Sequence, residues 1–208
     1  MIIAVDGPLA SGKGTIARAL AARFGLPHLD TGTLYRATGL AVMDTGTNPA
    51  DAEACAKLAR NLNINRIDAD RIRTAEAGAM ASKVASIPQV RDALFELQRA
   101  FATQEGGAIL DGRDIGTVIC PDAEVKLYVT ADAETRARRR WEELRARGEK
   151  LSFETMLDQT LERDRRDAGR ADAPMRPADD ATLLDTSSLS IDAAVAQAIR
   201  IVEKRQKA

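Results

Sequence analysis

Little in this chain is aromatic: one Trp, two Tyr and four Phe, 3% of 208 residues. Alanine and leucine carry much of the apolar share instead, and both are strong helix formers. Cys55 and Cys120 lack metal-ligand or redox-pair spacing, and the single histidine, His28, gives them no partner cluster. Neither a zinc centre nor a disulfide framework is therefore indicated, and both thiols are expected to be packing residues. An excess of charge of one sign is also missing. With 30 basic and 31 acidic side chains, a net charge of −1 and a pI near 6.0, the chain has no net basic field of the kind on which general nucleic-acid or membrane binding rests. No apolar run approaches membrane-spanning length, and the first apolar segment begins without a basic leader. A soluble cytoplasmic protein is expected, with no nucleic acid and no membrane among its partners. The length suits one α/β domain with insertions and a sizeable core. No internal repeat or low-complexity tract is present.

What is present begins at Gly7. The stretch Gly7, Pro8, Leu9, Ala10, Ser11, Gly12, Lys13, Gly14, Thr15 follows the apolar run Ile2 to Val5 and opens the amphipathic segment Ile16 to Phe24. A strand, a glycine-rich loop and a helix are predicted in that order. The spacing of Gly7, Gly12 and Lys13 matches the G-x-x-x-x-G-K phosphate-binding loop, whose backbone N–H groups and helix N-terminus face an anion while the lysine reaches the outer phosphates. A chance glycine-rich turn would not come with an apolar strand before it and a helical period after it. Gly14 stands where most such loops carry the Ser or Thr that ligates magnesium, and the hydroxyl comes one place later, at Thr15.

Leu26 to Leu29 reads as a second strand, ending in Asp30-Thr31-Gly32-Thr33 and followed by Leu34, Ala37, Leu40 and Ala41 at helical spacing. Arg36 lies in the first turns of that helix, where a cation is unfavourable unless an anion neutralises it; a solvated arginine is the alternative. Ala50 to Leu62 is a further helical stretch, capped by Asp51 or a neighbour. Asn63 to Arg73 reads as a small peripheral excursion whose strong apolar residues are Ile64, Ile67 and Ile72. Ala75 to Ala85 is helical, Pro88 starts another helix reaching about Gln104, and Arg91 is a second cation in a first helical turn.

Ala108 to Asp111 is a buried-strand run closing on an acid, where a phosphate-loop protein places a magnesium-organising carboxylate and where helix caps also occur. Val125 to Val129 is the next strand, and Asp132 caps a helix to about Arg147. Gly148-Glu149-Lys150 then makes a hairpin with a second helix that ends at Asp167-Ala168-Gly169-Arg170. The arginines between Arg136 and Arg170 alternate with acids, the pattern of a solvated face with i,i+4 pairs, although the hairpin can also fold as a flap. Thr182 to Asp185 and Ile191 to Val202 close the chain as a strand and an amphipathic helix.

Strands alternating with helices specify a mostly parallel sheet covered by helices, with ligands at the carboxyl ends of its strands. Lys13, Arg36, Asp111, Arg113 and the flap arginines can then converge on one anionic site. Such a site suits phosphoryl transfer, which needs alignment and charge stabilisation more than covalent chemistry. No Ser-His-Asp set or cysteine nucleophile competes, and no guanine-reading Asn-Lys-x-Asp motif supports a GTPase-like switch.

Several separated motifs now add to the loop: Asp30-Thr31-Gly32 with Tyr35-Arg36, Ala81-Ser82 through Pro88 to Arg91, Asp111-Gly112-Arg113-Asp114, and Glu162-Arg163-Asp164 through Arg170. Over nearly its full length the chain resembles the bacterial cytidylate kinases. The resemblance implies an α/β P-loop three-layer fold in a single domain, 1–208, with a nucleotide-monophosphate-binding helical insert at about 31–105 and a lid at about 132–170. It implies transfer of phosphate from ATP to the small molecules CMP and dCMP, with magnesium; a monomer is expected. Gly7 to Thr15 would bind ATP; Thr31, Tyr35, Arg36 and Arg113 would hold the acceptor phosphate. Arg163 and Asp167 would contact the ribose side, and Arg170 the phosphate path. Ser82, Arg91 and Asp114 would read the base. Lys13, Arg36, Arg113 and Arg170 would act as the catalytic cations, while Thr15 and Asp111 would organise magnesium beside the substrate, directly or through water.

The base assignment has its own chemical logic. Cytosine's exocyclic amine donates to a carboxylate, whereas uracil presents an acceptor there and would leave Asp114 unpaired. A kinase for another monophosphate, a polyol or an acid would share the loop and have no need of this set. The excursion between about Leu62 and Ala75 is shorter than the β-rich insert of the long-form members it resembles.

Overall fold

The computed structural model describes residues 1–63 and 67–206. Its backbone groups into two compact units, Met1–Leu29 with Phe101–Ala208, and Asp30–Ala100. The first carries the sheet. Strands β1 (Ile2–Asp6), β2 (His28–Asp30), β3 (Ala108–Gly112), β4 (Val125–Thr130) and β5 (Thr182–Asp185) lie in the order β2-β3-β1-β4-β5. β1 pairs in parallel with β3 and with β4, and β4 in parallel with β5. Parallel neighbours need long crossovers, and the helices supply them.

Ile3, Val5, Ile109, Val125, Leu127, Val129 and Leu184 form the sheet's share of the core, against Ile16, Ala17 and Leu20 of α1 (Lys13–Phe24). Ala194, Ala198 and Val202 of the closing helix join the same cluster. The register sets the carboxyl ends side by side: Val5 is level with Asp111 and Asp6 with Gly112, and across β4 Asp6 is level with Tyr128. Several boundaries differ from the sequence reading, among them the starts of α1 and β2. α1 begins at Lys13, taking Gly14 and Thr15 into its first turn, and β2 begins at His28 because Pro27, before it, has no N–H to donate to a ladder. Pro27 instead accepts a bond from the Ile109 N–H at 2.8 Å.

The second unit is helical: α2 (Thr31–Thr45), α3 (Ala52–Arg60), α4 (Ala75–Val84) and most of α5 (Pro88–Ala102). Asp51 caps α3 by accepting from the Ala54 N–H at 3.0 Å, as expected, and Thr74 caps α4 through the Ala77 N–H at 3.2 Å. α2 packs on α4, burying Leu34 and Val42 on one and Ala77, Ala81 and Val84 on the other. Ile72 is buried in a short 3-10 turn, Arg71–Arg73, whereas Ile64 of the expected excursion lies outside the described residues.

In the first unit, α6 (Ala133–Ala146) and α7 (Phe153–Ala168) form the hairpin, with Asp132 and Ser152 as side-chain caps. Trp141 donates its indole N–H to the Leu151 carbonyl at 2.7 Å and meets the Phe153 ring edge-on, which staples the turn between them. α8 (Ile191–Gln206) closes the unit. Among the described residues no helix is long and apolar enough to cross a membrane.

Candidate active site

The chain turns at Gly7 where β1 ends, and no other residue fits there: a Cβ would stand 1.9 Å from the Val129 carbonyl oxygen. The loop that follows is held from behind. Arg136 donates to the Leu9 carbonyl at 3.3 Å, Thr186 Oγ1 to the Ser11 carbonyl at 2.8 Å, and Lys13 Nζ to the Pro8 carbonyl at 3.1 Å. Arg136 is itself buried. Its guanidinium grips both Asp164 oxygens at 3.1 and 2.6 Å, with Nε on the Ala131 carbonyl at 2.8 Å. The solvated-face pattern therefore holds for pairs such as Arg138 with Glu134 and fails at Arg136, which braces the loop.

The loop opens onto the start of α1, where left-handed Gly12 gives no side-chain cap and the first turn contains no acid. Ser11 Oγ is buried without a hydrogen-bond partner. Uncapped N–H groups at a helix start, with the helix dipole behind them, suit an anion such as a polyphosphate.

Asp111 lies within β3, and its carboxylate sits against the loop, with Oδ2 3.7 Å from where a Cβ on Gly14 would be. Its Oδ1 is 2.6 Å from His28 Nε2, a partnership for the lone histidine that sequence reading missed. Thr15 presents its hydroxyl at the first turn of α1, where Arg18 donates to it at 3.3 Å. Among the described residues no three His, Cys, Asp or Glu side chains gather as a metal cage. One carboxylate and one hydroxyl beside a phosphate loop do fit magnesium, which commonly combines few protein ligands with substrate phosphates.

Beyond β3, Asp114 is buried at the start of a π-helical turn, Ile115–Ile119, and its carbonyl accepts from the Val118 and Ile119 N–H groups at 2.9 and 3.2 Å. Nothing in the local sequence announced that turn. Its first N–H groups, of Ile115 and Gly116, donate to the two oxygens of Asp6 at 2.8 and 2.7 Å. Burial pushes the Asp6 carboxyl up to about 7 against those two bonds, with the Asp114 charge adding to the rise and Lys13 opposing it.

At the end of α7, Asp167 gathers the arginines. Arg113 Nε donates to it at 3.0 Å, Arg170 pairs with its other oxygen, and Arg163 lies 3.7 Å away. Burial drives the Asp167 carboxyl upward, but Arg113, Arg163 and Arg170 drive it down further, and it ends below the usual carboxylate range. Arg170 Nε is buried without a hydrogen-bond partner.

Of the acceptor-side residues expected from the sequence, Thr31, Tyr35, Arg36, Ser82 and Arg91 fall within the second unit, and Arg113 and Asp114 within the first. Arg36 donates to Asp30 at 3.1 Å, so the anion its early helical position called for is the residue preceding its own helix. Gly32 permits this closeness, since a Cβ there would lie 2.9 Å from Asp30 Oδ1. Arg36 Nε is nevertheless buried without a hydrogen-bond partner. Arg91 donates to the Tyr35 hydroxyl at 3.5 Å, and Thr31, Ser82 and Arg91 are all buried.

A family model described as cytidylate kinase matches residues 3–204. The chain belongs to the cytidylate kinase family. Members phosphorylate CMP and dCMP with ATP, and this chain is such a kinase. It is 56% identical to the cytidylate kinase of Methylocella silvestris over 98% of this chain and 94% of that one. It is 52% identical to that of Rhizobium meliloti over 99% and 97%. Among solved structures, TT1252 from Thermus thermophilus matches with a TM-score of 0.52 at 20% identity, over 98% of this chain and 96% of that one, a likeness of fold.

Proposed function

We propose that this kinase works by in-line transfer of the terminal phosphoryl group of ATP, with the residues expected from the sequence in the roles given there. Gly7 to Thr15 hold the ATP phosphates through backbone N–H groups, and Lys13 follows the charge on the moving group. Arg113 and Arg170, spaced by Asp167, meet the transferring and acceptor phosphates, with Arg163 and Asp167 toward the ribose. Thr31, Tyr35 and Arg36 bind the acceptor phosphate, while Ser82, Arg91 and Asp114 read cytosine. CMP's phosphate, with a second pKa near 6, is mostly dianionic at neutral pH, so its oxygen attacks without a general base. Magnesium would be held by Thr15 and Asp111, directly or through water, and supplies charge neutralisation on the phosphates. The enzyme acts as a monomer in the cytoplasm, where its nucleotide substrates are.

The observation that carries this reading is Asp111 lying against an uncapped phosphate loop, at the same sheet end as the arginines on Asp167. Two buried arginine nitrogens without hydrogen-bond partners, on Arg36 and Arg170, support anionic partners for those side chains. The test is ADP formation from magnesium-ATP against CMP, dCMP, UMP, AMP and shikimate in parallel. Turnover confined to CMP and dCMP is expected, and comparable turnover of UMP or AMP overturns the base assignment. Lys13→Ala is expected to lower transfer by about 10³-fold with the thermal midpoint retained; wild-type turnover in that variant overturns the mechanism.

A further inference from the structure

We infer that Asp6 is a positioning residue for base selection: from the junction of β1 and the phosphate loop it holds the segment that carries Asp114. The inference rests on the proposal that Asp114 reads cytosine. The phosphate-loop spacing starts at Gly7 and assigns Asp6 nothing, yet its carboxylate is only 4% exposed. A buried carboxylate is a costly choice for a strand end unless its oxygens have work to do. Both have it. One accepts from the Ile115 N–H at 2.8 Å and the other from the Gly116 N–H at 2.7 Å, the two donors that immediately follow Asp114.

These N–H groups open the π-helical turn and so have no partner within it. A carboxylate takes both, because it alone among side chains of this size accepts at two atoms and donates at none. Asparagine in the same place accepts at one atom and sets an amide N–H against the other donor. Such a mismatch releases the backbone one residue from Asp114, and a displacement of about 1 Å is enough to spoil a directional contact to a base.

The charged and titratable groups facing Asp6 come from each neighbouring element. They are Asp114 before the π-helical turn, Lys13 on α1, and Tyr128 on β4, with the Lys126 side chain beside Gly116. Asp6 loses its proton near pH 7, so the two-acceptor form prevails above that pH and the one-acceptor form below it. The preference for CMP over UMP should therefore weaken as pH falls from 8 to 6. Both substrates carry the same phosphate, so its titration cancels in their ratio.

The test compares kcat/KM for CMP and UMP between pH 6 and 8.5 in the wild type, Asp6→Asn, Asp114→Ala and the double variant, with thermal midpoints recorded alongside. Asp6→Asn is expected to lower the CMP-to-UMP ratio about tenfold at pH 8, chiefly through the KM for CMP, and to flatten its pH dependence. The KM for ATP should change less than about threefold. On the Asp114→Ala background the same substitution should leave the ratio where it was, since the group being positioned is gone. An Asp6→Asn enzyme with the wild-type ratio and profile overturns the inference, whatever its thermal midpoint. If that variant does not fold, a wild-type ratio constant from pH 6 to 8 overturns it instead. An unchanged ratio in Asp114→Ala overturns the base assignment itself, which separates the two failures.

Discussion

Two acids in one unit are buried to nearly the same degree and titrate in opposite directions. Asp6, at the end of β1, is 4% exposed and its carboxyl is raised to about 7, while Asp167, at the end of α7, is 1% exposed and held low. Burial penalises both charges alike, so the partners decide. Asp6 faces two neutral backbone donors; Asp167 faces three guanidinium groups. A hydrogen bond from a neutral donor to a charged group is worth roughly 1.5–3 kcal/mol, whereas a full opposite charge at contact distance reaches about 4 kcal/mol even at an effective dielectric near 20. Three such charges outweigh the desolvation that two N–H groups only reduce. The α7 end therefore stays ionised at neutral pH, while the β1 end titrates near neutrality.

The strongest way to break the comparison is Asp167→Ala. It leaves the largely buried Arg113 and Arg170 without their shared counter-charge, and breaking a pair whose acid is buried in this way costs about 3 kcal/mol. A fall in kcat/KM for CMP of about 10²-fold should accompany it, because those arginines lose their spacing. Thermal unfolding and steady-state kinetics check both figures, and a stability within about 1 kcal/mol of wild type would remove Asp167 from its central place.

Next in size is the pH dependence of stability, whose sign differs between the two acids. The folded chain keeps a proton on Asp6 up to about pH 7, whereas an unfolded aspartate releases it near 3.9. Its contribution is thus fully present below about pH 4 and declines as pH rises through 7, by roughly 1.4 kcal/mol per pH unit in between. Asp167 behaves the other way: its contribution is present above the ordinary aspartate pKa and is lost as pH falls through its lowered value. Unfolding midpoints from pH 3 to 8 should show Asp6→Asn gaining on wild type as pH rises. Asp167→Asn should lose less than wild type as the solution is acidified below about pH 4. Equal slopes in the two variants would contradict the partner argument.

Asp6→Asn at pH 7 should be milder than Asp167→Ala, about 2 kcal/mol or less, because the lost hydrogen bond is offset by relief of a buried charge. Smallest of all is Asp30→Asn. Its bond to Arg36 joins side chains 37% and 21% exposed, and pairs of that kind contribute under about 1 kcal/mol. A chemical denaturation midpoint close to wild type is expected there, and a large loss would show that exposure is a poor guide to these pairs.

Much of this was legible in the order of residues. The apolar runs at Ile2 and Ala108, the glycine spacing from Gly7, the Asp51 and Asp132 caps and the hairpin break at Gly148 are local signals, and each element appears within a few residues of its expected place. The family was legible too, because its motifs are short and each keeps its own local spacing. The partnerships of Asp6 with Ile115, His28 with Asp111, and Arg136 with the Leu9 carbonyl were not. They join residues 109, 83 and 127 positions apart, and hydrophobic period or capping chemistry holds no record of such a distance. Arg136 is instructive, for its basic, acid-interleaved surroundings read as solvent-facing while Asp164 draws it into the interior.

What the amino-acid sequence determined by itself is the alternation of strands and helices, the anion-binding loop and the family to which they belong. These depend on side-chain type and short-range spacing, which the chain carries unfolded or folded. Only the tertiary structure decided how each buried charge behaves, because a carboxylate's pKa is set by the groups packed against it and by the water it loses. Asp6 and Asp167 have the same side chain, and the register of β1 beside β3 and the docking of α7 on Arg113 make them different acids.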